Sequence, residues 1–192
     1  MALTTSSGFK TWAGKSDSVQ DTAIAAILTE AEALVANVLD RRLETAGSDV
    51  TEYYDGTGDD TIFLRGWPLV SLTSVSYLSS VSAGVAAFTA YDSDGYYTIA
   101  ADGRLVKYTG IDTGFGDPQD TEPFWAEGAG NIKVVYQGGY TSSTIPADLV
   151  ECIYEVISMI LHGRDGTRTA PTEQALRDLI IARAGHYRRG ML

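Results

Sequence analysis

Apolar residues near the start of the chain recur at steps of three and four, the spacing of an α-helix with one buried stripe. This segment covers residues 21–42, and Arg41 and Arg42 fall in its predicted last turn, where positive charge suits the helix dipole. A short helix containing Phe9 and Trp12 is predicted before it. The apolar stripe of the longer helix is formed by Ile24, Ile27, Leu28, Ala31, Leu34, Val35, Val38 and Leu39.

The helical spacing returns near the end of the chain and predicts two further helices, over residues 147–162 and 172–187. The apolar stripe of the first is wide, which is typical of a helix buried on most sides. Pro146 suits its first turn and Gly163 its C-cap.

The middle of the chain, residues 46–140, consists of short β-like runs separated by turn residues. Asp55-Gly56 predicts a hairpin that joins the first two strands. The alternation slips between Leu72 and Val75, which predicts a β-bulge. The predicted strands cover residues 51–54, 61–64, 70–78, 96–99, 105–108 and 131–136.

Two stretches of this middle region lack a strand pattern. Residues 79–90 are irregular, and residues 110–130 predict a long loop that contains Phe115, Phe124 and Trp125. Loops of this length are uncommon in compact domains unless they have a function.

These elements predict an α+β protein. Its core is expected to be a small helical bundle, in which one N-terminal helix packs on two C-terminal helices. We therefore divide the chain into residues 1–45 for the N-terminal helices, 46–140 for a large β-rich insertion, and 141–192 for the C-terminal helices.

Charge is distributed unevenly along the 192 residues. The net charge is −11, which argues against nucleic-acid binding by the surface as a whole. From Arg164 onward, six arginines and three acidic residues give +3, so the remainder carries −14. A basic end on an acidic body is typical of a segment that docks on an acidic partner, although a solvated helix face is the plainer interpretation.

Residues for catalysis or metal binding are scarce. The chain has two histidines and one cysteine, Cys152, too few for a zinc site. The segment that begins at Asp55 resembles a calcium loop, but its twelfth position is Gly66 instead of glutamate, so a turn is the better interpretation. No phosphate-binding loop, signal peptide or membrane-spanning run is present, and no cofactor is expected. A small hydrolase using turn carboxylates is the weakest of the alternatives.

One junction in the sequence is more specific than the rest. A strand ends in a Gly-Gly-Tyr turn, and a polar loop then leads to Pro-x-Asp-Leu at the start of a helix. The earlier run YYDGTGDDTIFLRGWPLVSLTSV and the short Trp-bearing helix at the start belong to the same pattern. The chain thereby resembles the head–tail connector (adaptor) proteins of tailed bacteriophages. The junction residues are Tyr136, Gly138, Gly139, Tyr140, Pro146, Asp148 and Leu149.

The resemblance implies a structural protein without enzymatic activity, which forms a ring, usually of twelve copies, beneath the portal protein. Such a ring extends the DNA channel, lets the genome pass without specific binding, and offers a platform to a head-completion (stopper) or tail protein. It is assembled in the host cytoplasm and resides in the neck of the virion, with no membrane partner. Another neck or tail component, such as a tail-completion or tail terminator protein, is the alternative.

The resemblance also implies roles for particular residues. The C-terminal region of such connectors reaches the portal, and Phe115, Phe124 and Trp125 are candidates for contacts with other subunits or the tail. The candidates for docking on the portal are Arg164, Arg168, Arg177, Arg183, Tyr187, Arg188 and Arg189.

Overall fold

The computed structural model describes residues 3–16, 20–91, 95–107, 124–164, 166 and 169–188. It has the α+β architecture that the sequence predicts. The chain divides into a helical unit, Met1–Glu44 with Tyr140–Leu192, and a β unit, Thr45–Gly139. No helix in the described ranges is long and apolar enough to cross a membrane.

The described residues of the helical unit form four α-helices: α1 (Ser6–Trp12), α2 (Asp21–Val38), α3 (Ala147–Arg164) and α4 (Glu173–Ala184). A short 3-10 helix, Gly185–Tyr187, follows α4. Helix α2 packs against α3 and α4, and their apolar stripes form one hydrophobic core. The side chain of Thr172 caps α4 by accepting a hydrogen bond from the amide of Ala175.

Helix α2 ends earlier than the apolar pattern predicts. The backbone at Asp40 has a φ of 50°, a left-handed conformation that terminates the helix. Arg41 and Arg42 therefore lie beyond the last turn, and Arg41 is buried. At the other end of the bundle, Gly163 lies within α3, which corrects its assignment as the C-cap.

In the part of the β unit that the structure describes, seven strands form two antiparallel sheets, with the orders β1-β7-β3-β4 and β2-β6-β5. Side chains from both sheets form one core, which includes Leu64, Leu105, Ile132 and Val134. The strands are β1 (Val50–Gly56), β2 (Thr61–Phe63), β3 (Leu69–Ser82), β4 (Val85–Ala90), β5 (Tyr96–Ile99), β6 (Arg104–Lys107) and β7 (Gly128–Gly138).

The predicted hairpin at Asp55-Gly56 is wrong. Strand β1 pairs with β7, and β2 pairs with β6 in the other sheet. A Cβ atom on Gly56 would lie 1.8 Å from the carbonyl oxygen of Ala126, and the Asp55 carboxylate accepts a hydrogen bond from the amide of Gly130 at 2.6 Å. The dipeptide thus allows a close approach to the start of β7 and does not form a two-residue turn.

Strand β3 contains the bulge that its alternation predicts. Its register against β7 shifts between Leu72 and Ser74. It also continues to Ser82 and forms a hairpin with β4, so residues 79–90, which show no strand pattern in the sequence, belong to an antiparallel strand pair whose register shifts between Leu78 and Ser80.

Candidate interaction surfaces

The junction residues connect the two units of the chain. A Cβ atom on Gly138 would lie 2.0 Å from the carbonyl oxygen of Gly66, so this position requires glycine. Gly139 has a φ of 112°, and its amide donates to the carbonyl of Pro68 at 3.0 Å. The next residue, Tyr140, is buried in the helical unit. The Gly-Gly-Tyr sequence thus lets β7 end against a neighbouring backbone segment.

Asp148, in the first turn of α3, contacts two residues of the C-terminal 3-10 helix, His186 and Tyr187. The Tyr187 hydroxyl donates to both of its carboxylate oxygens, at 2.9 and 3.1 Å, and Nε2 of His186 lies 3.2 Å from one of them. Burial and the hydrogen bond to Asp148 raise the pKa of Tyr187 to about 12, so the hydroxyl keeps its proton at neutral pH. The structure thereby brings together Asp148, which the sequence indicates as a junction residue, and Tyr187, which it indicates as a candidate for portal docking.

Arg41 adds a buried positive charge beside these residues. Its guanidinium lies over the ring of Tyr140 at 5.2 Å, a cation–π contact, and one of its nitrogens is 3.5 Å from the carbonyl oxygen of Tyr187. Burial lowers the pKa of Arg41 to about 10, which still leaves it charged at neutral pH. The apolar pattern predicts Arg41 at a helix end and gives no sign of its contacts with Tyr140 and Tyr187.

Three of the predicted docking arginines make ion pairs within the chain. Arg164 lies 2.9 Å from Glu30, and Arg177 lies 2.9 Å from Glu173 one helical turn away. The guanidinium of Arg183 donates two hydrogen bonds to Glu155, at 2.7 and 3.0 Å.

These arginine side chains are between 48% and 59% exposed. An ion pair this exposed contributes little to stability, about 0–1 kcal/mol, so a partner can displace it. Arg188 is exposed, and within the described residues it makes no ion pair. Arg168 and Arg189 lie outside the described residues.

The aromatic residues of the predicted contact loop differ in exposure. Phe124 is 49% exposed, whereas Trp125 has no exposed surface. The indole N–H of Trp125 donates to the carbonyl of Asp60 at 2.8 Å, and its ring meets Tyr91 edge-on at 5.5 Å. The prediction that Trp125 contacts a partner is therefore corrected, because this residue belongs to the core of the β unit. Phe115 lies outside the described residues.

Tyr136 is buried in the core of the β unit, and its hydroxyl makes hydrogen bonds there. Its hydroxyl donates to Glu52 at 2.6 Å and accepts from the amide of Gly66 at 2.8 Å. The Tyr54 hydroxyl also donates to Glu52 and accepts from the amide of Arg65 at 3.0 Å. Burial raises the pKa of Tyr136 to about 12 and also raises that of Tyr54, so both hydroxyls remain donors at neutral pH. This network ties β1 and β7 to the chain segment before β3.

Glu52 and Tyr54 are not among the residues that the sequence predicts as functional. A signal for them exists, because residues two apart on a strand point to the same face. Every second residue of β1 from Glu52 to Gly56 is at least partly buried, and the residues between are exposed.

The described residues form no metal centre, and the thiol of the chain is not activated. Among them, no group of three or more His, Cys, Asp or Glu side chains is placed to hold a metal ion. The only thiol, Cys152, is buried, and burial raises its pKa to about 11, which makes it a poor nucleophile at neutral pH.

The fold is that of an α+β protein with a helical unit and a β unit joined at the Gly-Gly-Tyr junction. The family model described as "Head completion protein" matches residues 2–154, so the chain belongs to this family. The resemblance to head–tail connector proteins is thereby confirmed. No curated protein matches the sequence significantly.

Solved structures share the fold at low sequence identity. The neck of a native gene transfer agent particle, computed with C12 symmetry, contains a chain that is 17% identical, with a TM-score of 0.54; the match covers 88% of this chain and 82% of that one. The neck of the empty particle, computed with C6 symmetry, gives 16% identity and a TM-score of 0.54, with coverages of 86% and 81%. The virion of the native particle gives 16% and 0.53, with the same coverages of 86% and 81%.

Proposed function

We propose that the protein is a structural, non-enzymatic component of the neck of a phage-like particle, at the interface of head and tail. The observation that carries this proposal is the family match across residues 2–154, which includes the whole β unit and most of the helical unit. Each unit has its own hydrophobic core, and among the described residues no group of three or more His, Cys, Asp or Glu side chains is placed to hold a metal ion.

In this proposal the protein forms a ring beneath the portal, with twelve copies as the expected number. The similar chains lie in neck assemblies computed with C12 and C6 symmetry, and the matches cover more than four fifths of both chains. A subunit of such a ring needs contacts with copies of itself, with the portal on one side and with a stopper or tail protein on the other. The net charge of −11 suits a channel through which DNA passes without binding.

The exposed arginines near the C-terminus are proposed to dock on the portal. Arg177 and Arg183 project from α4 in weak, exchangeable ion pairs, and Arg188 follows the 3-10 helix. An acidic surface on the portal would replace the intramolecular carboxylates with its own. Phe124 is proposed to contact a second subunit or the tail, because its ring is half exposed.

The test of portal docking is a single substitution, because a deletion of all residues after Gly163 would also disturb the fold. Such a deletion would remove Leu176, Ile180 and Ala184, which are buried in the core of the helical unit. Arg188→Glu leaves that core intact, and Arg65→Glu on the β unit is a control with the same change in charge on another exposed arginine. Binding of each variant to the purified portal is measured by biolayer interferometry, and rings are counted by negative-stain electron microscopy.

We expect the wild-type chain to form rings on the portal, and Arg188→Glu to weaken portal binding by about threefold to tenfold, as expected for an exposed charge contact. Arg65→Glu should bind like the wild type. Equal binding by both variants would show that the C-terminal assignment is wrong. If the wild-type chain neither binds the portal nor forms rings, the proposed function itself is refuted.

A further inference from the structure

The outer part of the β3–β4 hairpin, residues 79–87, forms an arm. The last residue pair between β3 and β7 is Tyr77 with Ile132, and beyond it β3 pairs only with β4. Five more residues of β3 extend past that point, about 17 Å at the usual rise of a strand. All nine residues of the arm are exposed, so both faces of this two-stranded ribbon meet solvent.

The turn of the arm is well formed, which argues that its shape is specific. Ala83 and Gly84 are the two residues between the strands, and their φ angles are 51° and 78°. Two central residues with positive φ form the turn type whose twist matches paired strands. The backbone therefore holds the arm as a hairpin, although an isolated two-stranded hairpin is only marginally stable in water.

The composition of the arm differs from that of the remaining surface. No charged residue occurs from residue 66 to residue 91, although 20% of the chain is charged. Val81 is 63% exposed and Val85 is 69% exposed. Exposed strand edges are normally protected against pairing by charged side chains, especially lysine, and the arm has none. Such an edge suits a partner strand or surface.

We infer that the arm is the contact through which one copy of the chain binds the next, an inference that rests on the proposed ring. Two copies with a net charge of −11 repel each other, and an uncharged protrusion is where they can approach most closely. A basic partner or a nucleic acid would be selected by charge, which the arm lacks. A ring also needs a head-to-tail contact, in which the arm of one copy meets a different surface of its neighbour.

The size of the arm indicates when this contact forms. Stable interfaces use roughly 20–30 residues from each partner, and the arm supplies nine. The arm alone is therefore too small to hold two free copies together firmly. Copies already bound side by side on the portal are held at high effective concentration, and there the same small contact is sufficient.

The first test places charge on the arm. Val81→Lys with Val85→Lys should leave the fold and portal binding intact and lower the yield of closed rings by about tenfold or more, because buried lysines must be desolvated. Ala25→Lys with Thr29→Lys adds the same charge to exposed positions of α2 and should form rings like the wild type. Both variants reduce the net negative charge, so general repulsion between copies cannot explain a loss of rings.

The second test identifies what the arm touches. Val85→Cys is labelled with a benzophenone maleimide, and the native Cys152 is buried and does not compete for the label. Irradiation of rings on the portal should crosslink copies of this chain to one another. Crosslinks to the portal instead, or rings that form normally with the lysine variant, would refute the arm contact while leaving the proposed function standing. Wild-type chains that form no rings would count against the proposed function.

Discussion

At the scale of single residues, the hydroxyl of Tyr136 offers a sharp stability test. Tyr136→Phe removes the acceptor for the Gly66 amide and one donor to Glu52, both at hydrogen-bond distance in a buried site. The unsatisfied amide should cost about 1–3 kcal/mol in the free energy of unfolding. Urea denaturation followed by circular dichroism measures this loss.

Tyr53→Phe is the matched control for this prediction. Tyr53 neighbours Tyr54 on β1, but its side chain is 58% exposed. Loss of its hydroxyl should change the free energy of unfolding by less than about 0.5 kcal/mol, as for surface substitutions in general. A Tyr136→Phe variant as stable as the control would show that the network does not stabilise the β unit.

The burial of individual aromatic residues could be predicted only in part from the sequence. Trp125 and Phe124 are adjacent in a glycine-rich region, and the sequence predicts the same exposed loop for both. The structure buries Trp125, whose amide pairs with the carbonyl of Asp59 and whose indole pairs with Asp60. These partners lie more than sixty positions away, so no local pattern distinguishes the two rings.

At the scale of elements, Gly138 tests how β7 ends. Gly138→Ala would place a Cβ atom 2.0 Å from the carbonyl oxygen of Gly66, which is backbone and cannot rotate away. We expect a loss of about 3 kcal/mol in the free energy of unfolding, at the upper end for overpacking. Thermal and urea denaturation of the variant measure it.

Gly47→Ala is the control for this substitution. Gly47 has a φ of 69°, and nothing lies within 4 Å of a Cβ added there. Alanine should therefore cost only the strain of a left-handed backbone, about 1–2 kcal/mol. Equal losses in the two variants would indicate that β7 shifts to accommodate the methyl group, and that the close approach is not essential.

The helices could be predicted more accurately than the strand pairing. The apolar stripes of α2 and α3 are local patterns, and each helix begins at the residue that its pattern predicts. The partner of β1 is β7, some eighty residues away, and the local Asp-Gly signal favoured the wrong neighbour. The arm could not be predicted for another reason. Both of its faces are exposed, so its sequence shows no alternation of apolar and polar residues.

At the scale of the whole molecule, the net negative charge of the chain opposes assembly, whereas the arm is proposed to promote it. Each copy carries −11, so copies repel at low salt, whereas the arm itself carries no charge to be screened. The Debye length falls from about 10 Å at 0.1 M salt to about 3 Å at 1 M, which removes most of the repulsion. Added salt should therefore strengthen the weak, transient contact between free copies, which the arm alone does not hold together firmly.

Sedimentation velocity of the free chain tests this expectation. The weight-average sedimentation coefficient of the wild type should rise as NaCl increases from about 0.1 M to about 1 M, because screening leaves the uncharged contact unopposed. The variant with Val81→Lys and Val85→Lys should stay monomeric over the same range, although its net charge of −9 gives weaker repulsion than that of the wild type. A wild-type coefficient that falls with salt would mean that copies associate through ion pairs, and the uncharged arm would then not be the contact.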